Sequence, residues 1–337
     1  HSNTFDLHIP IMKIKGLVTE HLLDNGWFNM DSLILHEPII KYGIKKQSDR
    51  TKPSNPPNIK INNLSVFDGN IGLHKSDLNF GDSIFLNKLN LSVEEFIYDS
   101  LIRVEFSHHL FKSLDISGRQ FEYTLPDSLY KVRLSEYSYN HVNKTIDLSN
   151  LKLIPIYNRG EFQSKIDYQQ DWFDGSIQHI NISGFEIDSL ISNELLQMES
   201  LSVTDFTLDT HRDKRIPRKE GEYKALPQTL MSKAPIRMII DTINVYNAFV
   251  SHSEFSETGT LPGTLFFQQI DARITNFTND SLRLLTDQHM IFDAAGVLLE
   301  TGDFNLSVDF DLTSKDDQYS LRGSVGDMDL TELNDFL

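Results

Sequence analysis

The residues whose types and spacing could do chemistry are few, and most are acidic. Asp309 and Asp311 share one face of a predicted strand, and paired carboxylates can act as acid and base in hydrolysis. They belong to a long alternating segment, so a solvated sheet face is the favoured interpretation. His108 and His109 are adjacent, and neighbouring strand residues point to opposite faces, so they are poorly placed to bind one metal ion. The sequence has no metalloprotease, nucleophile-elbow or phosphate-loop motif. We therefore predict that the protein is not an enzyme and that it uses no cofactor or metal.

A basic loop is the second candidate site, and it stands out in an acidic chain. The protein has 48 Asp and Glu against 31 Lys and Arg, with a net charge of −17. This charge repels phosphate backbones, so nucleic-acid binding is not expected. The loop could bind an acidic headgroup or a partner, and an ordinary solvated loop is the alternative. Its candidate contact residues are Arg212, Lys214, Arg215 and Arg218.

An apolar stripe along the strands is the most extensive signal. From 304 to 312, apolar residues alternate with Asn, Ser and Asp, which predicts a strand with one apolar and one solvated face. Such stripes could line an open groove for lipid tails or form a closed core, and periodicity does not separate the two. The candidate groove-lining residues are Phe304, Leu306, Val308, Phe310, Leu312, Leu64, Val66, Ile243 and Val245.

The elements that would position these residues recur within the chain. GLVTEHLLDNGWFNMDSL, from Gly16, matches GFEIDSLISNELLQMESL, from Gly184. Two further matches follow in the same order: NLSVFDGNIGLH with TINVYNAFVSHS, and LNKLNLSVEEFIYDS with FQQIDARITNFTNDS. Three matches in one order indicate an internal duplication, in which a second copy extends the sheet. The Asp68-Gly69 step predicts a tight hairpin turn, with a bulge in one continuous strand as the alternative. Asn247 takes the same place in the second copy.

We therefore predict a mostly β fold: an elongated, curved antiparallel sheet built from two duplicated units, each with a short amphipathic helix. The units are expected to span 1–160 and 161–337, with one continuous domain as the alternative, and a loop or linker is expected near 48–58. The chain has no cysteine, which excludes disulfides. No apolar segment reaches the roughly 18 residues that a membrane-spanning helix needs. Because the chain begins with His1, we expect that a signal peptide, an anchor or a tag preceded it.

The chain resembles the AsmA-like proteins of Gram-negative cell envelopes, in the form seen in Bacteroidetes. IKGLVTEHLLDNGWFNMDSLILHEPIIKY is similar to the opening unit of that family, with its P-x-I step at 38–40, and IKINNLSVFDGNIGL is similar to its recurrent hairpin. The stretch 211–255 resembles the corresponding part of the second half. LRGSVGDMDLTELNDFL resembles a recurring segment of the family, although Asp335 stands where a proline often follows. The patterned positions of that segment are Gly323, Asp329, Leu330, Leu333 and Asn334.

This resemblance implies a periplasmic protein, tethered to a membrane by an N-terminal segment, that takes part in outer-membrane biogenesis. It implies a fold related to the repeating β-groove lipid-transfer proteins and offers no catalytic residues. The expected ligand is a phospholipid or another acyl lipid, and envelope proteins are the expected partners. The alternative is a β-rich binding or adhesion module with a closed core that engages a protein or a glycan.

Overall fold

Strands dominate the structure, a computed structural model, and make up 64% of it. The described strands, sixteen in number, belong to one mixed sheet, so the predicted mostly β fold is confirmed. His108, His109 and residues 48–57 of the predicted linker lie outside the described residues, and Asn58 already begins a strand. The structure describes residues 4–19, 27–44, 58–75, 83–98, 110–221, 225–314, 316–334 and 336.

The chain divides into two compact units. Unit 1 comprises His1–Ser149 with Glu186–Asn193, and unit 2 comprises Asn150–Phe185 with Glu194–Leu337. The duplication boundary predicted at 160/161 stays a prediction, because compactness and sequence repetition are different properties. The boundary between the two units, between residues 149 and 150, falls within strand β9 (Thr145–Pro155).

In unit 1 the strands follow the order β1-β4-β5-β6-β7-β8. A further pair, β2 and β3, lies beside the first part of β5, while β4 pairs with its second part. The bounds are β1 (Thr4–His8), β2 (Ile11–Lys15), β3 (Trp27–His36), β4 (Ile39–Ile44), β5 (Asn58–Lys75), β6 (Ser83–Tyr98), β7 (Ser113–Thr124) and β8 (Tyr130–Asn140).

In unit 2 the strands follow one another in chain order from β10 to β16. Of the three short helices described, α1 (Arg159–Gln163) and α3 (Pro227–Ser232) belong to unit 2, and α2 (Ile187–Asn193) belongs to unit 1. Two 3-10 turns cover Arg283–Leu285 and Leu330–Leu333. The strands are β10 (Trp172–Ser183), β11 (Leu195–Asp213), β12 (Arg237–Phe255), β13 (Gly263–Thr278), β14 (His289–Leu298), β15 (Gly302–Asp311) and β16 (Tyr319–Val325).

The sheet contains parallel pairings among its described strands, so it is mixed, whereas the prediction was an antiparallel sheet. β3 and β4 each pair in parallel with β5, and β11 pairs in parallel with β12. Parallel neighbours need a crossover connection, often through a helix, and α3 lies in the connection between β11 and β12. Alternation of apolar and polar residues is the same in parallel and antiparallel strands, so it could not distinguish them.

The two units share the same parallel pairing at matched positions, as an internal duplication predicts. Met30 pairs with Ile61 in unit 1, and Met198 pairs with Ile240 in unit 2. The repeated glycine also has the same role in both copies, because Gly16 directly follows β2, Gly184 directly follows β10, and their φ values are 64° and 67°. A Cβ at Gly184 would lie 2.3 Å from Cγ of Glu199, so both the backbone and the neighbour require glycine there.

The predicted helix in the second copy is confirmed as α2, whereas most of its first-copy counterpart, 20–26, lies outside the described residues. Leu190 and Ile191, the large apolar residues in the middle of α2, are half-buried. The short helix α3 has Pro227 in its first turn, where the missing N–H has no intrahelical partner to lose.

The predicted hairpin at Asp68-Gly69 is wrong, and the alternative of a bulge is correct. β5 continues through this step, and its register against β6 shifts between Val66 and Gly69. Asp68 has a φ of 54°, but Gly69 does not have a positive φ, and a type I′ hairpin turn needs two such residues in succession. Asn247 causes the equivalent shift within β12.

These left-handed residues recur on neighbouring strands, and nearby side chains satisfy the backbone groups that they free. In unit 2 they include Asp205, Asn247 and Gln269, on β11, β12 and β13. The Asn247 backbone N–H donates to Oδ1 of Asp271 at 2.9 Å, and its side-chain Nδ2 donates to Oδ1 of Asp205 at 2.6 Å. The Asn and Asp residues in the middle of these strands therefore stabilise β-bulges and do not mark turns between strands.

Replacing Asn247 by alanine is expected to lower the free energy of unfolding by about 2 kcal/mol. An alanine in the left-handed region costs roughly 1 kcal/mol more than asparagine, and the hydrogen bond to Asp205 adds about 1 kcal/mol. Asn247→Gly is the control, since it loses the hydrogen bond but tolerates the positive φ. Urea unfolding measures both, and equal losses in the two variants would show that φ is not the cause.

Candidate functional site

The sheet of unit 2 has an apolar face and a polar face, because the alternation of each strand is in register with that of its neighbours. Val308 of β15 pairs with Phe292 of β14 and with Leu321 of β16. The same row continues through β13, β12 and β11 to β10, and every member is apolar. The row consists of Ile182, Leu201, Ile243, Ile274, Phe292, Val308 and Leu321. The adjacent apolar row consists of Ile180, Val203, Val245, Ala272, Ala294, Leu306 and Gly323.

The residues between these rows form the polar face. They pair in the same manner, as Asp293 does with Ser307 and Ser307 with Arg322. One continuous row of polar side chains therefore crosses seven neighbouring strands. This row consists of Asn181, Ser202, Asn244, Arg273, Asp293, Ser307 and Arg322.

The structure places most of the predicted groove-lining residues on apolar faces. Phe304, Leu306, Val308 and Phe310 join Ile243 and Val245 on the apolar face of unit 2. Leu312 lies beyond the end of β15, in the turn that follows. Leu64 and Val66 lie on β5 in unit 1, where Val66 belongs to a similar row. That row consists of Met12, Leu35, Val66, Leu91, Ile116 and Tyr139.

Exposure of the apolar face rises sharply at β16. Val308 is 5% exposed and Met290 3%, whereas Leu321 is 58% exposed. Tyr319 and Val325, on the same face of β16, are each 53% exposed. Among the described strands, β16 pairs only with β15, and no second sheet covers the apolar face of the unit. Apolar side chains therefore reach solvent along this strand.

The basic loop is neutralised from within unit 2. Arg212 pairs with Asp171, Lys214 Nζ lies 2.5 Å from Oε1 of Glu254, and Arg215 Nη2 lies 2.7 Å from Oδ2 of Asp213. Hydrogen bonding to Arg215 lowers the pKa of Asp213 despite its burial. The Arg215 guanidinium also lies 3.8 Å from the centre of the Phe255 ring. Arg218 is exposed. An acidic ligand at this loop would have to displace internal carboxylates from three of the four predicted residues.

Asp309 and Asp311 each have a separate partner. Asp309 Oδ1 lies 2.7 Å from Nδ1 of His289, and this contact raises the pKa of the imidazole. Asp311 accepts hydrogen bonds from the hydroxyl and backbone N–H of Thr313, which lower its pKa. The two carboxylates therefore stabilise local turns and strand contacts and do not act on each other.

A buried polar cluster on β11 and β12 escaped sequence analysis. The parallel register places His211 beside Ser253, with 2.8 Å between Nδ1 and Oγ, and Thr210 beside His252, with 2.8 Å between Oγ1 and Nδ1. Burial lowers the pKa of His211. A Ser–His contact can activate a nucleophile, but Ser253 is only 2% exposed and no substrate could reach its oxygen. The cluster therefore joins the two strands.

No family model matches the chain, and no curated protein matches its sequence. Among the residues that the structure describes, no helix is long and apolar enough to cross a membrane. The same residues contain no group of three or more His, Asp or Glu side chains that could hold a metal ion. The fold and the site define a protein with one large mixed sheet, apolar on one face and polar on the other.

Proposed function

We propose that this protein binds or conducts lipid acyl chains along its apolar face, as a periplasmic envelope protein of outer-membrane biogenesis. One observation carries the proposal: uninterrupted apolar rows cross β10 to β16 and become exposed at β16. The resemblance to AsmA-like proteins supports the envelope location, with a phospholipid as ligand and envelope proteins as partners.

Burial of methylene groups supplies the binding energy in this proposal. Each buried CH₂ contributes about 0.8 kcal/mol, so a twelve-carbon segment gains roughly 10 kcal/mol before ordering costs. This gain needs no specific hydrogen bond, which fits two rows that contain no polar side chain. The headgroup stays in water, and the chain lies across the strands.

In this proposal β16 is the place where an acyl chain meets the sheet. On the apolar face of β16, Tyr319, Leu321 and Val325 are more than half exposed. On the neighbouring strand β15, Phe310 lies opposite Tyr319 and Val308 lies opposite Leu321. A chain that covers Leu321 removes that side chain from water and gains contact with the neighbouring row. Leu321 is therefore the residue whose change affects binding most directly.

Replacing Leu321 by aspartate is expected to abolish most lipid binding. A charge on the apolar face of β16 disfavours contact with hydrocarbon by several kcal/mol. The matched control is Ser320→Asp, which places the same charge on the same exposed strand but on the polar face. Native mass spectrometry and mass spectrometry of organic extracts, before and after incubation with phospholipid vesicles, would measure bound lipid.

The control is expected to retain near-stoichiometric phospholipid or fatty acid, and both variants are expected to keep the thermal midpoint of the wild type. Equal lipid loss in the two variants would contradict binding on the apolar face. A wild-type protein that carries no lipid and takes up none from vesicles would overturn the proposal in favour of a closed-core binding module.

A further inference from the structure

The polar face of unit 2 carries a depression of about 700 Å³, within the range of small-molecule sites. On each of five strands its lining comprises one apolar-face residue and the two polar-face residues that flank it, as in Asp293, Ala294 and Ala295. Phe292, the large neighbour of Ala294 on the apolar face, takes no part in this lining. The depression therefore opens on the polar face of β12 to β16, opposite the apolar rows.

Two arginines in this depression have guanidinium groups without a partner among the described residues. Arg273 and Arg322 are both exposed, and neither makes an ion pair or side-chain hydrogen bond with any residue that the structure describes. Elsewhere in unit 2, by contrast, Arg159, Arg212, Arg215, Arg237 and Arg283 all pair with carboxylates. In a chain with a net charge of −17, two unpaired arginines in one depression indicate a site for an anionic group.

The arginines lie in the same row of the polar face, Arg273 on β13 and Arg322 on β16. In the register of neighbouring strands, Arg273 lies opposite Asp293, Asp293 lies opposite Ser307, and Ser307 lies opposite Arg322. Three strand spacings separate the guanidinium-bearing positions, or about 14 Å along the sheet. This backbone separation exceeds the size of a single inorganic anion, so two anionic groups carried by one extended ligand suit the pair better than one small anion.

The remaining lining offers groups that suit hydroxyls. Asn244 and Asn305 each provide a donor and an acceptor, and the carboxylates of Asp271 and Asp293 provide acceptors, all facing one depression. Tyr246, 48% exposed, adds an aromatic ring at one side. Alternating donors and acceptors beside an exposed ring match a sugar, whose edges carry hydroxyls and whose face presents C–H groups.

We propose that the polar face of unit 2 binds an acidic saccharide, a chain of sugars that carry carboxylates. Arg273 and Arg322 each engage the carboxylate of a different sugar, with two parallel N–H donors apiece. The Asn and Asp side chains bind ring hydroxyls, and Tyr246 packs against one sugar face. This binding goes beyond the proposed acyl-chain function and uses the opposite face of the sheet, so either can fail without the other.

The test is calorimetric titration of the full chain with trigalacturonic acid, and with cellotriose and inorganic phosphate as comparison probes. We expect saturable binding of the acidic trisaccharide that is at least tenfold weaker in each of Arg273→Gln and Arg322→Gln. Lys233→Gln is the control, because it removes one exposed positive charge at the residue that follows α3, outside the depression. It should bind like the wild type, and thermal midpoints check that each variant is folded.

Absence of trigalacturonate binding to the folded wild type would overturn the proposal. Equal binding of cellotriose would show that carboxylates are not recognised, and phosphate binding that competes fully with the trisaccharide would reduce the site to a general anion site. Each of these results contradicts an acidic-saccharide site. Unchanged affinity in both arginine variants would place any binding elsewhere on the protein.

Discussion

Replacing Asp280 by alanine is expected to lower the free energy of unfolding by about 3 kcal/mol, the lower end of the cost of breaking a buried ion pair. Asp280 is 2% exposed. Its Oδ2 accepts from Arg237 Nε at 3.1 Å and Nη2 at 2.5 Å, and its Oδ1 accepts from the backbone N–H groups of Leu282 and Arg283. One carboxylate thus fixes both the start of β12 and the turn between β13 and β14.

The matched control is Asp241→Ala, because Asp241 also pairs with an arginine but lies in solvent. Its Oδ1 is 3.0 Å from Arg283 Nη2, and its side chain is 48% exposed. Exposed pairs of this kind contribute less than about 1 kcal/mol. Urea unfolding followed by circular dichroism measures both variants. Similar losses would contradict the central role given to Asp280.

The effect of Asp280 should also depend on pH. Burial on its own raises the pKa of this carboxyl, but the Arg237 and backbone hydrogen bonds outweigh it, and the pKa is lowered overall. A lowered folded-state pKa stabilises the protein above the unfolded value of about 3.9, and this contribution disappears as the pH falls through the folded-state value. The difference between wild type and Asp280→Ala is therefore expected to be constant near neutral pH and to shrink below about pH 4.

Replacing Phe162 by alanine is expected to cost about 3 to 4 kcal/mol, the usual range for emptying a buried aromatic site. Phe162 is 2% exposed and lies in α1, whose first turn is capped by Asn158 and Glu161. Because α1 has a single turn, its attachment to unit 2 depends on this ring more than on helical hydrogen bonds. Thermal and urea unfolding would measure the loss.

Tyr168→Ala, a few residues further along the chain, is the control for Phe162. Tyr168 is 47% exposed, so its removal is expected to change stability by less than about 0.5 kcal/mol. If the two variants lost equal stability, the energy assigned to the Phe162 ring would have to come from another source, such as a changed unfolded state.

Sequence alone predicted the features that depend on near neighbours. The alternation of Leu306, Val308 and Phe310 predicted both β15 and its apolar face, because side-chain direction in a strand is fixed by local geometry. It did not predict whether Asp68 ends a strand or bends it. That outcome depends on whether Gly69 also adopts a positive φ, and both choices use the same two residues.

Features that depend on strand order could not be predicted in this way. His211 and Ser253 meet only because β11 and β12 are parallel, and they lie 42 positions apart. Arg273 and Arg322 share a row only through the register of β14 and β15 between them. By contrast, the pairing of Arg215 with Asp213 is local, and an acidic residue within the basic loop was a visible signal that its charge could be satisfied internally.

The parallel pairing of β11 with β12 also sets an order in which unit 2 can assemble. His289 and Asp309, on adjacent antiparallel strands, lie 20 positions apart, whereas Thr210 and His252, on the parallel strands, lie 42 apart. Bringing together residues 42 positions apart costs more chain entropy than bringing together residues 20 apart, and this cost comes before the stabilising contacts form. The C-terminal strands can therefore form first, and β11 then joins a preformed edge at β12. Folding is expected to slow at this late step, and a chain still being synthesised would lack the strands that provide that edge.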